Sequence, residues 1–385
     1  MPHYNRSLAS KLPNVGTTIF TVMSRLAQEH NAVNLSQGFP DFDCDPHLQE
    51  LVTKYMKAGK NQYPPMAGVP ELRDAIAQKI AALCGTAYDP ETEITVTPGA
   101  TYAIYTAIAA LVRPGDEVIV LEPAYDSYVP AIEVHGGTAV YVALSFPDYR
   151  CDWEAVQRAI TPRTRMIIIN TPNNPTSSVF SAADMDALAR ITRGTDIVIL
   201  SDEVYEHLVY DGARHESVTR HPDLSQRSFA VYSFGKSYHV TGWKMGYCVA
   251  PANLMAEFRK VHQFNVFTCM SPVQYALAEF MQDPQRYLGL ARFYQEKRDY
   301  FRDRLRESRF TLLPSNGTFF QSVRYEAISD EPDSEFAMRL TREHGVAAIP
   351  LSAFYHQPPG HKVLRFCFAK TEQTLYKGTE ILRRL

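Results

Sequence analysis

Apolar runs recur at 94–97, 117–121, 138–144, 166–170, 197–201, 229–234 and 246–250, separated by stretches whose apolar residues fall at helical spacing. The runs show little polar alternation, the pattern of strands covered on both faces. Alternated with helices, they predict a largely parallel, seven-stranded α/β sheet in a large domain over residues 45–281. One apolar helix is expected over Tyr102 to Val112. Residues 1–44, an N-terminal arm, and 282–385 predict a smaller α+β domain. It should hold a charged helix near Glu296 to Glu307 and a strand, Val363 to Phe368, whose apolar run is broken by Arg365.

Composition adds mainly exclusions. At 385 residues, 45% hydrophobic and 21% charged, the chain can bury a large core and divides naturally into two domains. The net charge of −3 and the lack of a basic block argue against a nucleic-acid partner. The six cysteines show no C-x-x-C or His-paired spacing, so no metal is expected and free thiols in a reducing compartment are. Asp41, Asp43 and Asp45 begin like a calcium loop, but Pro46 stands where glycine is required and Val52 where glutamate is. The amino terminus lacks a charged start followed by an apolar run, and no segment reaches membrane-spanning length. A soluble cytoplasmic protein, not bound to membrane, is the expectation.

Candidate chemistry lies where the apolar runs end, the edge at which open α/β sheets bind ligands. The run Phe229 to Tyr232 breaks into Ser233-Phe234-Gly235-Lys236-Ser237. That turn can hold Lys236 at a ligand, with Ser233 and Lys244 as a hydroxyl and a second cation suited to phosphate. A Walker A loop would need glycine at Ala230. A lysine after a strand is more often a solvated surface residue, so the other segments must decide. Asp202 ends the run 197–201 and reads either as a helix N-cap or as a buried acid that holds a proton on a ring nitrogen. Asn170-Thr171-Pro172-Asn173-Asn174-Pro175-Thr176 must loop, because its prolines stop both strand and helix. Pro98-Gly99-Ala100-Thr101 joins a strand to a helix, which makes the amides of Ala100 and Thr101 candidate phosphate donors. Arg365 is a guanidinium in apolar surroundings, and it needs either a structural acid or a ligand carboxylate.

In this order the segments resemble the pyridoxal-phosphate aminotransferases of fold type I, class I/II, and the likeness covers the whole chain. The resemblance implies that Lys236 carries the cofactor as a Schiff base and that Ser233 and Lys244 bind its phosphate. It further implies that Asp202 pairs with the pyridine nitrogen and that Tyr205 and Asn174 contact the phenolic oxygen. Tyr125, in Glu122-Pro123-Ala124-Tyr125, would stack on the ring, and Arg365 would clamp the substrate carboxylate beside Gly38. Ser177 stands where the family usually has glycine. Lys244 in place of arginine, Gly235 before the lysine, and Asn34 to Phe42 are similar to the kynurenine and glutamine transaminase branch. Tyr63 resembles a tyrosine that reaches the neighbouring subunit's phosphate, which implies a homodimer with shared sites.

The implied reaction is ping-pong transamination, with an amino acid and a 2-oxo acid as small-molecule substrates. Phe20, Phe39, Tyr63 and Tyr125 suggest a pocket for apolar or aromatic side chains. Methionine suits such a pocket, and the whole-chain pattern is similar to the bacterial methionine aminotransferases of this branch. A kynurenine or aromatic aminotransferase and a cysteine-conjugate β-lyase share these motifs and remain open. A transcription regulator built on the same domain would carry an added DNA-binding domain, whereas this sequence begins almost directly in the transaminase pattern.

Overall fold

All seven apolar runs are strands of one sheet in the computed structural model, which describes residues 2–385. Across the sheet the order is Ile94–Thr97, Gly246–Val249, Ser228–Ser233, Val198–Asp202, Thr164–Asn170, Glu117–Glu122 and Thr138–Ala143. Gly246–Val249 runs antiparallel to both of its neighbours. Every other pair is parallel.

The absence of polar alternation in the sequence has its reason in two cores, one on each face. On one side Val118, Val120, Ile168, Leu200, Phe229 and Val231 pack with Ile104 and Ile108. On the other, Ile119, Leu121, Ile167, Ile169, Ile199 and Tyr232 join a larger cluster. The helix beneath the first face is Ala100–Leu111, two residues ahead of the expected start. Ala100 and Thr101 therefore stand in its first turn, where amides have no partner within the helix.

Four further strands, Ile349–Pro350, Val363–Cys367, Phe320–Arg324 and Thr311–Leu312, form an antiparallel sheet in which Arg365 lies opposite Ser322 and Ile349. The charged helix spans Leu290–Leu305 and starts earlier than its charges suggested, because Leu290, Tyr294, Phe301 and Leu305 give it a buried stripe. Val33–Asn34 pairs in parallel with Val346–Ala347, so the amino-terminal segment lies beside the carboxyl-terminal one. Asp45 caps the helix Pro46–Lys57 by accepting from the His47 amide at 2.9 Å. Among the described residues no helix is long and apolar enough to cross a membrane, and no three His, Cys, Asp or Glu side chains are grouped to hold a metal.

Candidate active site

The carboxyl ends of the parallel strands and the start of the reversed one open on a cleft. Ala100, Thr101, Tyr125, Asn174, Asp202, Tyr205, Ser233, Lys236 and Lys244 line it. Lys236 sits on the single helical turn Phe234–Ser237 that follows its strand. Gly235 packs closely there, since an added Cβ would stand 3.0 Å from Thr241 Cα. The lysine Nζ donates to the Gly38 carbonyl at 2.8 Å and lies 5.2 Å from the centre of the Phe319 ring. Burial, reinforced by Arg365 and Lys244, lowers its pKa to about 8. An amine tuned in this way has a neutral, nucleophilic fraction near neutral pH.

Glycines bring the cationic end of the cleft together. Gly99 caps the helix Ala100–Leu111 with φ +84°, and a Cβ on it would stand 3.3 Å from Lys244 Cε. Gly246 is tighter still: its Cβ would meet the Tyr232 carbonyl at 2.5 Å and the Ala100 amide nitrogen at 3.1 Å. Helix start, strand end and Lys244 thus converge where an anion can collect amide donors and a cation together.

Asp202 is buried at its strand end, and no helix follows it, so the N-cap alternative falls away. The Tyr128 hydroxyl donates to its Oδ2 at 2.6 Å, and the Val204 amide to Oδ1 at 3.3 Å. Burial raises its pKa to about 6, against the pull of these two hydrogen bonds. Asn170 lies opposite Asp202 in the sheet and donates to its carbonyl at 2.9 Å, while accepting from the Asn174 amide at 2.7 Å. Burial holds the Tyr205 phenol neutral, well above its usual range.

Arg365 stands next to this cleft, joined to it through Asn174. Its guanidinium donates to Asn174 Oδ1 at 2.6 Å and to the Ser36 carbonyl at 3.2 Å, while Nε has no partner. Phe320, Phe354 and Phe20 surround it at 3.9, 5.2 and 5.5 Å from ring centre to Cζ. Burial lowers its pKa to about 10, so it stays charged at neutral pH. It is 1% exposed, and among the described residues no carboxylate forms an ion pair with it. A buried cation in that state calls for an anionic ligand.

Residues 30–382 match the family model for aminotransferase class I and II. The chain belongs to this family. The aminotransferase is 53% identical over 377 residues to the methionine aminotransferase of Escherichia coli, covering 98% of each chain. A solved E. coli structure with methionine aminotransferase function superposes with a TM-score of 0.97 at 52% identity, covering 99% of this chain and 100% of that one. Kynurenine–oxoglutarate transaminase 1 of Rattus norvegicus is 34% identical, with 98% of each chain covered.

Not every expected residue of the aminotransferase faces the cleft. Tyr63 is 85% exposed and lines a separate surface hollow with residues 268–272. Phe20 meets the site only through Arg365 and an edge contact with Phe354. Gly38 contributes its carbonyl to Lys236, and an added Cβ would strike the Phe320 ring at 2.9 Å. Ser177 adopts φ +64°, the left-handed conformation for which glycine is the usual residue. Sequence reasoning missed Tyr128 and Asn170. Their signal lay close by, since Tyr128 follows Tyr125 by three positions and Asn170 opens the loop that holds Asn174.

Proposed function

We propose that this aminotransferase uses pyridoxal phosphate carried on Lys236 to transaminate L-methionine and other apolar or aromatic L-amino acids with a 2-oxo acid acceptor. The observation that carries this reading is the convergence in one cleft of a buried lysine of lowered pKa, a buried acid, and a helix start beside a second cation. The donor set fits the cofactor. Lys236 offers an amine, Asp202 a carboxylate for a ring nitrogen, and Tyr205 and Asn174 polar groups for a phenolic oxygen. Ser233, Lys244 and the amides of Ala100 and Thr101 suit a phosphate, and Tyr125 offers a ring face.

Bound pyridoxal phosphate supplies an electron sink for the α-carbanion. The chain supplies the rest. Asp202, ionised above pH 6, favours a proton on the ring nitrogen. With the cofactor held there, Lys236 Nζ would take and return the α-proton as a general base and acid. Arg365 and Asn174 hold the α-carboxylate, and the phenylalanine cage around the guanidinium excludes water from that contact. The same aromatic wall, with the E. coli relatives, supports methionine as donor.

The reading extends to a homodimer in which Tyr63 completes the partner's site. The exposed aromatics Tyr63, Phe264 (90%) and the neighbouring Met270 (54%) support it. It also takes 45–281 as the cofactor domain and 1–44 with 282–385 as the smaller one, in the cytoplasm.

A panel of amino acids tested against several 2-oxo acids decides the substrate class. Methionine and phenylalanine should be consumed with matching 2-oxo acid release, and aspartate should be poor. Efficient aspartate turnover would overturn the apolar pocket. Arg365→Lys should weaken all donors together by about one to two decades in kcat/KM, because a charge-assisted bidentate contact is worth ~1.5–3 kcal/mol. Loss confined to one side-chain class would remove Arg365 from the carboxylate site.

A further inference from the structure

We infer that Ser177 is a positioning residue for the carboxylate clamp, tying the loop that carries Asn174 to the start of the strand that carries Phe320. It rests on Arg365 binding the substrate carboxylate. Asn174 and Phe320 are the polar and aromatic neighbours closest to the guanidinium, at 2.6 Å and 3.9 Å, and they come from distant parts of the chain. Ser177 lies between their segments, fully buried.

Its backbone already joins them. The Ser177 amide donates to the Asn173 carbonyl at 2.9 Å, and its own carbonyl accepts from the amides of Asn316 and Gly317, each at 3.0 Å. The hydroxyl adds what glycine lacks. It donates to the Phe320 carbonyl at 2.8 Å and stands 2.9 Å from Thr318 Oγ1. With its one proton given to Phe320, it accepts from the threonine. Ser315 Oγ also donates to the Phe320 carbonyl, at 2.8 Å, so the serine is one of two side chains fixing that peptide. The loops press together here, since a Cβ on Gly317 would reach Pro172 at 2.7 Å.

Ser177 and Thr318 both hold positive φ, +64° and +62°. Two non-glycine residues in that region persist only where their surroundings compensate, and the hydroxyl pair between them does so. Glycine at 177 would suit the backbone better, but it would remove one of the two hydroxyls that hold the Phe320 carbonyl. The guanidinium would then lose part of the fixed geometry that a planar carboxylate requires.

The test is Ser177→Gly, whose backbone fits the observed φ. KM for methionine and for phenylalanine should both rise about three- to tenfold with kcat changed by less than about twofold, the scale of one buried hydrogen bond. The dissociation constant of 3-phenylpropanoate, measured by calorimetry on the holoenzyme, should rise by the same factor, and the visible absorbance should stay unchanged. Ser177→Ala, also without the hydroxyl, should share the higher KM and melt at a lower temperature. In an Arg365→Lys background, Ser177→Gly should add less than about twofold, because the effect passes through the guanidinium. Wild-type KM and 3-phenylpropanoate affinity in Ser177→Gly would overturn the inference, as would its full effect in the Arg365→Lys background. If Arg365→Lys itself leaves KM unaltered, the carboxylate reading fails and the inference falls with it.

Discussion

Replacing Lys236 by alanine is expected to abolish transamination, with turnover of methionine falling by at least about 10²- to 10⁴-fold. On the proposed reading the variant lacks both the group that attaches the cofactor and the base that moves the α-proton, and acid–base catalysis alone accounts for ~10²–10⁴. Loss of the attachment adds to loss of the base, so the acid–base figure is a floor. Borohydride treatment of the wild type followed by peptide mass mapping should mark Lys236. The yellow colour of the purified protein should disappear in the variant. In cofactor-free protein the rate of cofactor capture should rise about tenfold per pH unit and level off above the amine's pKa of about 8, since only the neutral amine attacks. Wild-type turnover by Lys236→Ala would remove the lysine from the reaction.

Asp202→Ala is expected to bind the cofactor but transaminate about 10²- to 10³-fold more slowly, the usual loss when one preorganised electrostatic partner of a developing charge is removed. Its carboxylate stays deprotonated above pH 6 even though it is buried, because Tyr128 and the Val204 amide hydrogen-bond to it. Retained cofactor absorbance together with slow single-turnover proton transfer would place the defect in the chemical step. Near-normal turnover would take Asp202 out of the mechanism.

The sheet and the cleft were legible because each strand buried on both faces leaves an unbroken apolar run, and each run ends in a short motif of proline, glycine or a charge. Lys236, Asp202 and Asn174 could be placed at one edge from that alone. What escaped depends on contacts between distant segments. The cage around Arg365 joins Phe20, which the sequence did suggest for the pocket, to Phe320 and Phe354 from two other stretches, and nothing in the local pattern marks those two among the other phenylalanines. Tyr128 looks like any helix-start aromatic until its hydroxyl is seen against Asp202. Lys79 shows the same limit. It reads as a surface charge on its helix, yet it is buried, ion-paired to Glu206 and hydrogen-bonded to Tyr247 at 2.8 Å. Helix boundaries also drifted where capping came from glycine, as at Gly99, and not from a side chain that advertises a start.

The reversed strand Gly246–Val249 has a consequence for how the chain tolerates length changes. A parallel successor to Ser228–Ser233 would begin at the far edge of the sheet, about 13 Å away for a four-residue strand. Running backward, it starts beside the point where its predecessor ends, so Lys236 and Lys244 are delivered to the same mouth by one tight return. Their spacing is thereby measured by chain length itself. A residue inserted between Tyr238 and Trp243 would slide one cation relative to the other while leaving both strands paired. This return should therefore accept insertions poorly.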